Sequence, residues 1–173
     1  MRRFVVICLA VLALAYVVGV PLFLGQDDDP LPRKADAVVA LSGSENTLPE
    51  AQALVARGLA PTLVVSAEQS GRDEQRARLC RAKPKNVICV YAGPYTSVSE
   101  AQAISAVIRR HNWGSVVLVT SDYERLRAGR AFDRCGDFRV ATVGVDEPLW
   151  RTAVALPLEW VKLAVSETVR RSC

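Results

Sequence analysis

The chain has 173 residues, half of them hydrophobic, with 22 basic and 18 acidic residues and a single histidine. Beyond an apolar N-terminal segment, roughly 145 residues remain, which is enough for one domain with a core of its own. Without Arg2 and Arg3 that domain has 20 basic and 18 acidic residues, a net charge of +2. This balance argues against a nucleic-acid-binding protein, which normally has a strongly basic face.

Residues 4–24 contain no charged side chain and are long enough to cross a bilayer core of ~30 Å as a helix. Arg2 and Arg3 precede this segment and three aspartates follow it, which predicts a cytoplasmic N-terminus and a domain outside the cytoplasm. A cleaved signal peptide is the alternative. Its apolar core would be shorter, ~7–15 residues, and would end in small residues. Residues 22–24 are bulky, so an uncleaved anchor is favoured.

These features divide the chain into three parts. A membrane anchor is predicted for residues 1–26, a proline-containing linker for 27–34, and an extracytoplasmic domain for 35–173. The domain contains no repeat and no low-complexity tract.

Within the domain, short apolar runs alternate with helical patterns. Strands are predicted at residues 37–41, 62–66, 87–91, 115–120 and 138–143. Helices are predicted at residues 48–57, 72–82, 97–111, 123–135 and 150–171. We expect Ser97 and Glu100 to form a capping box, and Pro157 to divide the last helix. Five alternations predict a Rossmann-like three-layer α/β/α fold with a mostly parallel five-stranded sheet.

Four cysteines lie outside the apolar segment that contains Cys8: they are Cys80, Cys89, Cys135 and Cys173. An even number in an exported domain predicts two disulfides, although some of these cysteines could be buried apolar residues instead. We predict that Cys80 pairs with Cys89 across a short turn. We also predict that Cys135 pairs with Cys173, since each of these two cysteines closes a helix. A zinc site is disfavoured because no Cys-x-x-Cys occurs and His111 is isolated.

Polar residues follow the first four predicted strands, at the sheet edge where ligands bind in such folds. They are Ser42, Gly43, Ser44, Glu45 and Asn46 after the first strand; Ser66, Glu68, Gln69, Ser70 and Gly71 after the second; Thr96 and Ser97 after the third; and Thr120, Ser121, Asp122, Tyr123 and Glu124 after the fourth.

Four segments occur in order along the domain: ADAVVALSG, GLAPTLVVS, TSVSEA and LVTSDYERLRA. Together they resemble the YdcF/SanA/ElyC-like family (domain of unknown function 218) over most of residues 34–165. The resemblance implies a Rossmann-like domain, often membrane-anchored in bacteria and linked to the cell envelope. Nucleotide or S-adenosylmethionine binding has been suggested for some members, but the sequence identifies no cofactor.

The resemblance also implies a set of site residues: Ser42, Gly43 and Ser44; Ser97 with Glu100; and Thr120, Ser121, Tyr123 and Arg127. Glu124 stands where the family commonly has a histidine, and Glu45 and Asn46 stand where a basic residue is common. Ser97 and Glu124 are the candidate catalytic residues. An unperturbed glutamate titrates near pH 4 and a histidine near 6.5, so Glu124 would need a strongly shifted pKa to take the same role. Glu159 resembles a family carboxylate that faces the site.

The residues alone predict a polar or anionic ligand, because loop amides and helix N-termini point at this edge. Arg127 and Arg130 would contribute to it, unless both are solvated surface charges. Four acidic residues could hold a divalent cation, but capping of helix N-termini is favoured, and no metal site is predicted. They are Glu45, Glu68, Asp122 and Glu124. A serine hydrolase triad is disfavoured because no G-x-S-x-G occurs and His111 lies far from the edge.

Two functional hypotheses follow. The first is an envelope enzyme or ligand-binding domain acting on a phosphate-bearing or glycan precursor near the membrane. The second is a non-catalytic binding or scaffold protein in which the lost histidine marks lost chemistry. The last helix carries Trp150, Leu156 and Trp160, which could contact a membrane or a partner but more often cover the sheet.

Overall fold

Five parallel strands form one sheet in the order β3-β2-β1-β4-β5 in the structure, a computed structural model that describes residues 2–67, 73–93, 97–168 and 173. The strands are β1 (Ala37–Ala40), β2 (Thr62–Ala67), β3 (Val87–Tyr91), β4 (Ser115–Ser121) and β5 (Arg139–Val145). The predicted α/β fold and parallel sheet are therefore confirmed.

Six α-helices accompany the sheet in the described part of the chain. They are α1 (Arg2–Leu24), α2 (Thr47–Ala56), α3 (Glu74–Ala82), α4 (Ser97–Arg110), α5 (Arg125–Asp133) and α6 (Leu149–Thr168). A 3₁₀ turn, Asp122–Glu124, precedes α5, so the helix expected from residue 123 begins two residues later. α1 is long and apolar enough to cross a membrane.

The central strand β1 explains why the sequence could specify this sheet. All four of its residues are buried, because Val38 faces α2 while Val39 faces α4 on the opposite side of the sheet. A strand covered on both faces must be apolar throughout, as the AVVA sequence is. The chain runs outward from β1 to β3 and then returns to β4, beside β1. The switch point of the sheet therefore lies between β1 and β4.

Both predicted cysteine pairs lie at disulfide distance. The Cα atoms of Cys80 and Cys89 are 5.8 Å apart, and those of Cys135 and Cys173 are 5.0 Å apart. The first pair joins α3 to the edge strand β3, and the second joins the end of α5 to the C-terminus.

The last helix is continuous, so the expected division at Pro157 is wrong. A proline inside a helix leaves the carbonyl four residues earlier without its usual N–H donor. Here that carbonyl belongs to Ala153, and it accepts a hydrogen bond from the hydroxyl of Tyr16 in α1. The first helix thus satisfies the group that the proline leaves unpaired, and α6 continues.

Further contacts join α1 to α6. The indole N–H of Trp160 donates to the Ala15 carbonyl at 3.1 Å, and its ring meets Phe23 edge-on at 5.3 Å between centroids. Phe23 is fully buried with Tyr123 and Leu156. The C-terminal part of α1 is thereby attached to the domain.

The predicted linker is bonded to the edge of the sheet. The backbone N–H of Asp29 donates to the carbonyl of Thr142 in β5 at 3.1 Å. The Asp29 carboxylate in turn accepts from the backbone N–H (2.8 Å) and the hydroxyl (2.7 Å) of Thr142. The Asp28 carboxylate accepts from the Gly144 N–H at 2.9 Å. Asp28 and Asp29 therefore provide hydrogen-bond partners for backbone groups of the edge strand β5 that would otherwise have none.

Candidate functional site

The loops after β1 and β4 meet at the switch point of the sheet. A Cβ atom added to Gly43 in the first loop would lie 3.1 Å from Glu124 Oε2, at the end of the 3₁₀ turn that follows β4. Gly43 has φ +107°, a conformation that side chains disfavour. The glycine therefore permits the close approach of the first loop to the Glu124 carboxyl group.

Glu124 belongs to a group of four charged residues that we name the charge cluster: Glu124, Arg127, Glu159 and Lys162. Arg127 donates from Nε to Glu159 at 2.8 Å and from Nη2 to Glu124 at 2.8 Å. Lys162 donates to Glu159 at 2.7 Å. The cluster joins the 3₁₀ turn, α5 and α6 beneath the switch point.

The cluster changes the acidity of its members. Burial raises the pKa of the Glu124 carboxyl above its usual range; Arg127 opposes this shift and the negative charge of Glu159 adds to it. Burial by itself lowers the pKa of Arg127, but its hydrogen bonds and charge pairs with Glu159 and Glu124 outweigh this and keep its pKa above the usual range. Arg127 therefore stays charged, and Glu124 takes up a proton more readily than an exposed glutamate does.

We expect Glu124→Gln to flatten part of the pH dependence of stability. Because the pKa of Glu124 is higher in the folded chain, its protonation stabilises the fold below the unfolded-state pKa, and that contribution is lost as pH rises through the folded-state pKa. Thermal unfolding of the full chain from pH 4 to 8 should show the native protein losing stability relative to the variant as pH rises. Glu50→Gln, which removes an exposed carboxylate on α2, is the control. Parallel curves for the native and Glu124→Gln proteins would contradict the shift.

Glu100 fixes the start of the first loop. Its Oε1 atom accepts from the Ser42 backbone N–H at 3.0 Å and from the Ser66 hydroxyl at the end of β2. The carboxylate therefore joins α4 to the loops after β1 and β2. The capping box expected for it with Ser97 depends on a side chain outside the described residues.

A cleft of about 500 Å³ opens beside the first loop, between that loop and the start of α3. Its lining includes Ser42, Gly43, Ser44, Glu45, Asp73, Arg76 and Arg151. The ligand-binding residues predicted after β1 therefore line an open cleft at the carboxyl edge of the sheet.

Arg76 forms the floor of this region and was missed by the sequence analysis. It is 2% exposed, and its guanidinium donates to the carbonyls of Ala40, Leu41, Ser44 and Ser66 and to the Thr47 hydroxyl. Asp73, the N-cap of α3, accepts from its Nε atom at 2.7 Å. One side chain thus satisfies the carbonyls at the ends of β1 and β2 and in the first loop.

The other predicted site residues have different positions. Ser121 is fully buried at the end of β4, and its hydroxyl makes no hydrogen bond to any described residue. The ring of Tyr123 packs in the apolar cluster with Phe23 and Leu156, while its hydroxyl interacts with the charges of Glu147 and Arg151. Arg130 is 48% exposed and lies 3.6 Å from Glu167. The side chain of Ser97, and all of residues 68–71 and Thr96, lie outside the described residues.

The acidic residues of this edge are engaged separately. Asp122 pairs with Arg125, and Glu124 with Arg127. Within residues 2–67, 73–93, 97–168 and 173, no three histidine, cysteine or acidic residues form a group that could hold a metal ion.

Arg151 and Lys162 were also missed. Arg151, in the first turn of α6, pairs with the buried Glu147 at 2.9 Å and lines the cleft. A search for Glu-x₃-Arg and Glu-x₂-Lys spacings from Glu147 onward would have found both pairs, but exposed helices carry the same spacings.

Comparisons with known proteins add no identification: no family model matches the chain, and neither a curated protein nor a solved structure is significantly similar to it.

Proposed function

We propose that the chain is a single-pass membrane protein whose domain, outside the cytoplasm, binds a polar or phosphate-bearing ligand in cell-envelope biogenesis. The observation that carries the proposal is the meeting of the Ser42–Ser44 loop with Glu124 at the switch point, beside an open cleft. In parallel α/β sheets this is the position at which ligands bind. The envelope role is supported by the sequence resemblance to the YdcF/SanA/ElyC-like family.

The location is supported by two independent features. Arg2 and Arg3 before α1 favour a cytoplasmic N-terminus. The cysteine pairs Cys80–Cys89 and Cys135–Cys173 lie in the domain at disulfide distance, and such bonds persist in oxidising compartments.

The cleft has groups for both hydroxyls and an anion. The serines of the first loop and the Glu45 carboxylate can bond the hydroxyls of a sugar-like ligand. Arg76 directs its donors at protein carbonyls, whereas Arg151 stands at the cleft wall on α6. Arg127, which was expected to hold the anion, already donates to Glu124 and Glu159. Arg151 also pairs with a carboxylate, Glu147, but its side chain is 39% exposed and lines the cleft, whereas that of Arg127 is 7% exposed, so we assign Arg151 to a phosphate group.

Calorimetric titration of the full chain in detergent with glucose 1-phosphate, glucose and inorganic phosphate tests the proposal. We expect glucose 1-phosphate to bind most tightly, because it alone offers both hydroxyls and an anion. Arg151→Ala should weaken that binding about tenfold or more, as a charge-assisted hydrogen bond contributes ~1.5–3 kcal/mol.

Arg57→Ala is the matched control, since Arg57 also pairs with a glutamate, Glu50, but lies at the end of α2. Equal binding by the native and Arg151→Ala proteins would contradict the assignment of the phosphate group. No binding of any of the three probes would favour the second candidate, a non-catalytic scaffold protein. Two observations favour that candidate: Glu124 replaces the family's histidine, and Arg127 is held by two carboxylates.

A further inference from the structure

One face of α6 is apolar and uncovered in the structure. Trp150, Val154, Leu158, Val161 and Val165 are all exposed, Trp150 by 69%. Their spacing of three or four residues places them on one side of the helix, opposite the buried Leu156 and Glu159. An apolar stripe of this length on a soluble surface normally marks a contact site.

The exposed surface of α6 contains few polar groups. Apart from Lys162 and Thr168, the exposed residues described in this helix are apolar or alanine. Lys162 is held by Glu159 of the same helix, and a lysine stem can lie along apolar surroundings while its charge stays at a polar site. The stripe therefore has the composition of a surface in contact with hydrocarbon.

The contacts between α6 and α1 place that stripe relative to a bilayer. The apolar run of α1, residues 4–24, is ~31 Å long at ~1.5 Å per residue, close to the ~30 Å of a hydrocarbon core. α6 contacts α1 at Ala15, Tyr16 and Phe23, in the last ~13 Å of that run. The part of α1 before these contacts, residues 2–14, spans only ~20 Å and is too short to cross the core alone.

We infer that α6 lies in the outer leaflet of the membrane, with its apolar stripe against the acyl chains. The inference rests on the proposed anchoring by α1, because α6 meets α1 within the length needed to span the bilayer. Ala153, one turn after Trp150, accepts a hydrogen bond from Tyr16, which lies eight residues before the end of the apolar run. This contact places Trp150 at the level of the acyl chains.

Tryptophan quenching in lipid nanodiscs tests the position of α6. The full chain, its Trp150→Phe variant and its Trp113→Phe variant are each placed in nanodiscs of phosphatidylcholine or of the same lipid with brominated acyl chains. Subtracting the spectra of each variant from those of the native protein isolates one tryptophan. Trp150 is exposed, so its replacement leaves the packing of Trp160 intact.

We expect Trp150 to lose most of its emission in brominated lipid and to be shielded from aqueous acrylamide. Trp113, which stacks on His111 beside the amino end of β4, should be unaffected by bromine. Quenching of Trp150 by acrylamide alone would overturn the inference. Protection from both quenchers would also overturn it, and would show that a protein partner or a second copy covers the stripe.

Carbonate extraction of the membranes separates failure of this inference from failure of the proposed anchoring. A chain that is washed off the membrane refutes the anchor itself. If the chain resists extraction but the brominated lipid does not quench the emission of Trp150, only the position of α6 is refuted.

Discussion

Arg76→Met should destabilise the domain by about 4 kcal/mol or more, since each buried group left without a partner costs ~1–3 kcal/mol. Methionine offers no donor to the four carbonyls that the guanidinium bonds; those of Leu41 and Ser44 still share the Thr47 hydroxyl, whereas those of Ala40 and Ser66 lose this side-chain donor. Thermal or denaturant unfolding of the full chain measures the loss. Arg78→Met is the matched control, since Arg78 lies on the same helix and is 69% exposed beside Glu74.

The control should change the free energy of unfolding by less than ~1 kcal/mol, as is usual for an exposed ion pair. Arg76→Lys keeps the charge but lacks the planar fork that reaches several carbonyls at once, so it should fall between the native protein and Arg76→Met. If Arg76→Met fails to accumulate, the lysine variant still reports the contribution of the fork. Equal effects of Arg76→Met and Arg78→Met would contradict the assigned role.

Arg127→Met should cost about 3–5 kcal/mol of stability, the usual effect of removing one partner of a buried ion pair. Glu159 is fully buried and would keep only Lys162, while Glu124 would lose its cationic partner. Arg130→Met, one turn further along α5 and 48% exposed, is the control and should have a small effect. Unfolding of the full chain in detergent compares the two.

The double variant Arg127→Met with Glu159→Met provides the decisive comparison. Replacing both partners removes the uncompensated buried charge of Glu159, so the double variant should be more stable than Arg127→Met alone. If the two losses simply add, the interaction between Arg127 and Glu159 is not what stabilises this region.

The sheet could be predicted because each strand is specified locally. β1 is apolar throughout, and so are the central residues 116–119 of β4 and 63–65 of β2, as is typical of parallel strands covered on both faces. The pair Cys80–Cys89 could be predicted for a similar reason, because only a short turn separates the two cysteines.

The candidate site was only partly predictable, because its key interactions join residues distant in sequence. Arg76 and Arg127 lie in charged helical segments whose composition resembles that of solvated helix surfaces. Their burial arises only when carbonyls of the first loop, or Glu159 from the last helix, are brought to them. Nothing in the local sequence distinguishes them from Arg78 or Arg130.

Tyr123 and Pro157 show the same limit. Tyr123 follows β4 in the position of a ligand-binding residue, and its ring packs in an apolar cluster with Phe23 of α1, a contact that no local pattern indicates. Pro157 should interrupt α6 by any local criterion. The helix is nevertheless continuous, and the donor that satisfies the freed carbonyl of Ala153, Tyr16, lies 137 residues earlier.

The contact between Tyr16 and Ala153 joins the first and last helices of the chain, and this sets an order for its biosynthesis. α1 is synthesised before the sheet and before α6. The sheet can form next, but the carbonyl freed by Pro157 finds its partner only after translation has passed α6. Cys173 follows α6 in the chain, so its pairing with Cys135 also has to wait until α6 has been made. The surface of α1 is therefore available before α6 exists, and α6 packs against a helix that is already formed.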